Sequence, residues 1–293
     1  MSSLTVHSDP AGAARLRTIP GGAVAFAWRE FRDAVSSRWF ILYTIAFAVL
    51  AMATSFMSLS GVGAHGFAGF GRTTAGLLNL IMLIVPLMAL VAGAGSIAGE
   101  RERGTLLYLL AQPVSRTQVF LGKYAGLALA LTCSLCVGFG ASALVLAWRV
   151  GGVGIGIYTV LVGFTCAVAL SMLAVGMLIS VLSRRTGVAT GIALFVWLSL
   201  VFVSDLGLMA GSVLFKLHVQ ELFGLGVANP LQAFKMGVIV NMNGSLDVLG
   251  PAGVYASRTL GDALVWLVSG IIAAWTAVPL AIGAICFSRK STI

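Results

Sequence analysis

Few side chains in this sequence could do chemistry, and each has a recognisable repertoire. Cys133 and Cys136 form a Cys-x-x-Cys pair about one helical turn apart, a spacing that lets two thiols hold a soft metal or carry sulfur. Asp205 is the only carboxylate inside a long apolar stretch, where an acid is a candidate for lining a conduit. His218 with Glu221, and Met236 with Met242, could hold copper transiently. The densest charge is a short knot, Gly99-Glu-Arg-Glu-Arg-Gly104, set between apolar stretches. Against these stand missing motifs. There is no Gly-x-x-x-x-Gly-Lys-Ser/Thr, and Gly122-Lys123 lacks both the upstream glycine and the hydroxyl residue. Neither His-Glu-x-x-His nor Gly-x-Ser-x-Gly occurs. The chain is therefore expected to be non-catalytic and to need no cofactor. Free cysteine is a common small apolar filler, and isolated His and Met are usually packing, so no metal centre is expected.

The elements that must position these residues follow from composition. The chain has 293 residues, 59% hydrophobic and 9% charged, with a mean hydropathy of +1.03. Soluble domains are about one-quarter charged, so this is an integral membrane protein. Its net charge of +9 does not indicate nucleic acid, because the basic residues sit at segment ends. All 4 cysteines fall in apolar segments, which argues against a disulfide framework. A bilayer core needs about 20 apolar residues per helix, and six stretches qualify, near 40–60, 77–98, 124–147, 157–182, 188–210 and 262–287. The fourth and fifth are separated by the tight turn Ser183-Arg-Arg-Thr-Gly187. With the N-terminus inside, only Arg72, Arg149, Lys216, Lys235 and Arg258 of the 18 Lys and Arg residues fall outside. That bias places both termini in the cytoplasm of a multi-pass protein. Residues 1–22 read as a flexible cytoplasmic tail and 23–293 as one membrane domain.

Ahead of the first span, Phe26, Phe31, Val35 and Trp39 share a broad stripe, with Arg29, Arg32, Asp33 and Ser36 mostly opposite. This pattern predicts an amphipathic helix in the inner interface, turning into the membrane at Trp39. Residues 61–76 are glycine-rich and read as loop. The longer outer segment, 211–261, contains two short amphipathic patterns expected to rest on the outer interface, the second opened by Asn229-Pro230. In the knot, Gly104 precedes Thr105 and a Leu-rich pair of turns stopped by Pro113. Ser115 and Gln118 then have capping-box spacing for the next helix. Such a projection would transmit a push. The Gly-x-x-x-Gly pairs, Gly95/Gly99 and Gly122/Gly126 among them, are about as frequent as 36 glycines give by chance.

Taken in order, the lead-in ending Ser37-Arg38-Trp39, a span closing on Gly99-Glu100, Gly104-Thr105-Leu106 and Pro113-Val-Ser-Arg-Thr-Gln-Val-Phe-Leu-Gly-Lys123 resemble ABC-2 type transporter permeases. With Asn229-Pro230-Leu-Gln-Ala-Phe-Lys-Met, the resemblance extends to the permeases that serve copper-site maturation of nitrous oxide reductase. It implies an all-α protein of six transmembrane helices, of the type V exporter-like kind, with an N-terminal interfacial helix and a cytoplasmic coupling helix, in the bacterial inner membrane. It implies as partners two copies of a cytoplasmic ATPase, a second copy of the chain and a periplasmic accessory protein. Arg29, Glu30 and Arg32 of the lead-in, and Glu100, Glu102, Gly104, Thr105 and Leu106 of the knot, would be the ATPase-coupling residues. Asp205, His218, Glu221, Asn229, Pro230 and Met236 are the candidates for an outer partner or conduit. Arg101 and Arg103 depart from the more acidic knot of that family and make this one neutral. A generic ABC-2 exporter of lipid, peptide or drug is the alternative within the family. A stand-alone secondary transporter is the alternative outside it, though the spans here are nearly uncharged.

Overall fold

In the computed structural model, the described residues are 22–59, 67–105, 115–150, 155–203, 206–207, 210–211, 218–241, 259–261 and 263–289. They are helical apart from short turns, and no strand occurs among them. The helices are α1 (Gly22–Val35), α2 (Arg38–Leu59), α3 (Phe67–Glu102), α4 (Arg116–Val150), α5 (Ile155–Leu182), α6 (Thr186–Leu198), α7 (Val219–Ala228), α8 (Pro230–Asn241) and α9 (Ala263–Arg289). A π-turn, Ser199–Val203, continues α6.

Five of these, α2, α3, α4, α5 and α9, are long and apolar enough to cross a membrane, or up to six with α7 and α8 counted as one broken span. Within the fifth expected stretch, 188–210, the described residues form the apolar run Thr186–Phe202, with 206–207 and 210 also helical, while 204–205 and 208–209 lie outside the described residues. The glycine-rich 61–76 is also not all loop. From Phe67 it is the start of α3, whose 36 residues rise about 54 Å, more than a bilayer core requires.

The most enclosed span is α5, which packs most extensively against α3 and also against α9, α4 and α8. Apolar burial drives little association where the solvent is itself hydrocarbon, so close backbone approach and interhelical hydrogen bonds matter more. Gly93 of α3 and Gly176 of α5 supply the approach. A Cβ on Gly93 would lie 2.7 Å from the carbonyl oxygen of Leu173, and one on Gly176 would meet that of Leu90. Between α2 and α4, Thr44 Oγ1 lies 2.6 Å from Ser134 Oγ, and Ser55 Oγ lies 2.6 Å from Ser142 Oγ, the latter pair fully buried. Replacing Ser55 and Ser142 by Ala, singly and together, should reveal a coupling of about 0.6–1.7 kcal/mol in a double-mutant unfolding cycle in detergent. Strict additivity would mean that the pair contributes no bond.

Candidate functional site: the charged knot and its hub

The knot caps the end of α3 and faces inward more than its sequence suggests. Lys123, one residue past the chance-looking Gly122, is only 2% exposed on α4. Its Nζ donates to Glu30 Oε2 of α1 and pairs with Glu100 Oε1 of α3, each at 2.8 Å. The two carboxylates are 19% and 13% exposed. One ammonium therefore joins three helices. Glu100 Oε2 is buried without a hydrogen-bond partner among the described residues. Burial raises the energy of an unpaired charge steeply, so each carboxylate holds its helix to the shared lysine.

The start of α4 is set by the expected capping box: Ser115 N–H donates to Gln118 Oε1 at 3.1 Å, and Gln118 N–H to Ser115 Oγ at 3.2 Å. Helix α1 then lies flush on α4 because residue 126 is glycine. A Cβ there would strike the carbonyl oxygen of Ala27 and sit 2.7 Å from Glu30 Cβ. Phe26 and Val119 close the same contact.

Arg101 and Glu102 clamp the tight turn between α5 and α6. Arg101 Nη1 donates to the carbonyl oxygens of Val181 and Ser183, at the end of α5. Glu102 Oε2 accepts the backbone N–H of Thr186, the first residue of α6, at 3.0 Å. Cation at a helix C-terminus and anion at an N-terminus both complement the helix dipoles and satisfy groups that a helix leaves open. Arg185, at the N-cap of α6, makes no side-chain cap bond, so Glu102 does the capping from across the fold. Arg103 Nε donates to Gly99 O, Thr105 Oγ1 donates to Glu100 O, and Gly104 takes φ of +73° to turn the chain out of α3. One step earlier, Ser180 Oγ of α5 accepts the N–H groups of Ile97 and Ala98 at 2.9 and 2.8 Å.

The expected coupling residues thus divide. Glu30 and Glu100 are turned inward onto Lys123. The cause is the proximity of Lys123, ninety-odd residues from Glu30 in sequence, which no local pattern announces. Arg29 and Arg32 are exposed on α1, Arg29 lying 3.7 Å from Asp33 across one turn. Glu102, Arg103, Gly104 and Thr105 are also exposed. Beside them opens a cleft of about 730 Å³, walled by Phe40, Tyr43, Met88 and Val91, with Glu102 and Arg103 at its edge. Leu106, and the Leu-rich turns after it, lie outside the described residues. On the expected interfacial stripe, Phe26 and Phe31 pack inward while Val35 and Trp39 stay exposed. The chain turns from α1 into α2 at Ser36–Ser37, just ahead of Trp39.

At the other end of the fold, α7 and α8 meet at Asn229 with a bend of 104°. They were expected to rest on an interface, but α8 is enclosed: Leu231, Gln232, Ala233, Phe234, Met236 and Val238 are all buried. Gly237 permits this, since a Cβ there would lie 2.8 Å from Phe164 of α5 and 3.0 Å from Val268 of α9. Asn229 is itself buried, with Nδ2 donating to Leu200 O at 2.7 Å and Oδ1 accepting the Leu231 N–H at 2.9 Å. Pro230 and Met236 are buried packing residues of that arm. His218 and Glu221 are exposed and form the start of α7, the Glu221 carboxylate accepting the His218 N–H at 3.0 Å. Asp205 and Met242 lie outside the described residues. Cys133 and Cys136 are exposed on α4, and among the described residues no three His, Cys, Asp or Glu side chains come together as a metal site.

Sequence reasoning missed Lys123, Gly126, Gly93, Gly176 and Ser180. For Lys123 there was a signal: a lone lysine seven residues into an apolar helix has to find a carboxylate.

Against known proteins, residues 24–292 match the family described as ABC-2 family transporter protein. Two similar relatives carry the name "Probable ABC transporter permease protein NosY". That of Stutzerimonas stutzeri is 32% identical, covering 91% of this chain and 98% of the relative. That of Pseudomonas aeruginosa is 29% identical, covering 90% and 97%.

Proposed function

The chain belongs to the ABC-2 transporter family as a permease subunit, and from that premise we propose that a separate cytoplasmic ATPase drives it in the maturation of nitrous oxide reductase. The observation that carries the mechanical part is the hub: Lys123 joins α1, α3 and α4, while Arg101 and Glu102 join α3 to both sides of the α5–α6 turn. A force applied anywhere on this face reaches every one of those helices. The exposed side chains available to receive it are Arg29 and Arg32 on α1, with Glu102, Arg103 and Thr105 at the knot. Two ATPase copies and a second copy of the chain would complete the assembly. Closure of the ATPases on nucleotide would then tilt the bound helices and change the segment around α7 and α8, where a periplasmic accessory protein would sit. The similarity to the two NosY relatives, extending over nine-tenths of the chain, favours this role over a generic lipid, peptide or drug exporter. Among the described residues the interhelical ion pairs gather at the knot, which fits an externally driven subunit better than a secondary transporter with ionisable groups near the midplane.

The reading has a two-part test. A tagged chain extracted in mild detergent should bring down a nucleotide-binding subunit in about equal amount. The variant Arg32→Glu should lower that recovery at least tenfold while the chain stays inserted, because Arg32 is exposed and makes no bond to Lys123, Glu30 or Glu100. In denitrifying cells lacking the chain, nitrous oxide reductase should accumulate with reduced copper and without activity. A fully copper-loaded, active reductase in those cells would end the assignment.

A further inference from the structure

Helix α6 is held at its two ends by single polar side chains from elsewhere in the fold, and its first half packs inward through small side chains. Its first N–H, that of Thr186, is capped by Glu102 of the knot at 3.0 Å. At its far end the π-turn leaves the Leu200 carbonyl to accept from Asn229 Nδ2 at 2.7 Å. Asn229 is the corner of the bent pair: its Oδ1 caps α8 through the Leu231 N–H, and the adjoining Ala228 carbonyl accepts from Trp275 Nε1 at 2.9 Å. Along the shaft, the fully buried side chains of α6 are Ala189 and Ala193, Val196 and Trp197 pack partly buried near its end, and Val188, Ile192, Leu194, Phe195 and Leu198 are exposed. Alanine surfaces do not interlock deeply, so such a helix shifts along its neighbour with less repacking than one anchored by Leu or Phe knobs. Trp197, on the same helix, buries its indole N–H without an acceptor among the described residues. Glu100 Oε2, two residues from the knot's α6 contact at Glu102, likewise has no partner among the described residues.

We propose that α6 is the transmission rod of this permease, and that Asn229 is the positioning residue that hands its movement to the bent pair α7–α8. This rests on the ATPase-driven reading above and deepens it. Movement of the knot shifts Glu102, Glu102 carries the start of α6, and the Leu200–Asn229 bond carries the corner at residue 229. The sequence marks Asn229 as a helix start and as a candidate for an outer partner or conduit. Its second bond, across to α6, gives it the further role.

Because Asn229 has two separate duties, they can be separated. Asn229→Asp and Asn229→Ser both keep an oxygen to cap α8, and both lose the amide that reaches Leu200. The protein used is the full complex with its ATPase in nanodiscs, with Cys133, Cys136, Cys166 and Cys286 replaced by Ser and a spin label at Leu225→Cys, an exposed position on α7. With Asn229 present, ATP plus vanadate should change the label's distance distribution between protomers. In both variants that change should fall at least fivefold, with ATP hydrolysis within about twofold and the melting temperature little altered. A label that responds normally in both variants overturns the rod while leaving the ATPase-driven reading intact, even if the variants melt lower. A label that never responds, in a complex that hydrolyses ATP with Asn229 present, overturns the rod as well. Failure of any ATPase to associate overturns the reading on which it rests.

Discussion

Lys123→Ala should be among the most damaging single changes in this protein, although lysine to alanine on a helix is ordinarily mild. Removal leaves Glu30 and Glu100 enclosed near one another with no cation between them. Breaking a buried ion pair by deleting one partner costs about 3–5 kcal/mol, and here one deletion strands two carboxylates. Expected results are a several-fold fall in the amount of inserted protein and a clearly lower melting temperature in detergent. Glu30→Gln should be much milder, because Glu100 and Lys123 still neutralise each other. The informative variant is the triple Lys123→Met, Glu30→Gln, Glu100→Gln. Replacing a whole buried ionic group with neutral side chains is often tolerated, so folding should recover to near the starting level. If the hub also transmits force, ATP-dependent activity should stay low in the triple variant. Lys123→Ala accumulating and melting like the unaltered protein would show that the hub holds nothing.

That contrast between local pattern and distant pairing explains what could be read from the sequence. The spans, the capping box of Ser115 and Gln118, the amphipathic lead-in and the α5–α6 turn all depend on residues within about one helical turn to one span of each other. Hydropathy and periodicity capture such features directly. The family was legible for the same reason, since its marks at 99–123 and 229–236 are contiguous. The knot's charges were legible as unusual, but their direction was not. Arg101 and Arg103 looked like a departure toward neutrality; Arg101 in fact faces the carbonyl ends of α5, eighty residues away. Glu102, expected as a coupling residue, also caps α6. A helix whose own N-cap is arginine needs an acceptor from elsewhere, and that need was visible at Arg185-Thr186, though the donor of the carboxylate was not. The burial of α8 was hidden for a different reason. Its 12 residues carry Gln232 and Lys235 among apolar ones, which resembles an interfacial helix until Phe164 and Val268 are seen against Gly237.

Glycine provides the second large prediction, because the sequence ranks these residues wrongly. Gly95 and Gly99 have the spacing of a helix-crossing motif, yet a Cβ on Gly95 would meet nothing within 4 Å. Gly93 belongs to no such pair with Gly95, and it is where α3 meets α5: a Cβ there would lie 2.7 Å from Leu173 O and 2.8 Å from Met177 N. Those obstacles are backbone atoms in a neighbouring helix, so no rotamer change relieves them. The helices must part. Gly93→Ala should therefore destabilise by about 1–3 kcal/mol or more, the range for overpacked interiors, despite alanine's better helix propensity of about 1 kcal/mol. Gly95→Ala, half a turn along the same helix, should be neutral or slightly stabilising. Parting α3 from α5 also acts on the knot. Ser180 Oγ would lose its two backbone donors at Ile97 and Ala98, and Arg101 would draw away from the end of α5. The Gly93 variant should consequently lose ATP-driven activity more steeply than its melting temperature alone predicts, with Gly95→Ala as the matched control. Equal melting temperatures and equal activity for the two alanine variants would mean that α3 and α5 do not touch at Gly93, and the crossing that orients the knot would have to be redrawn.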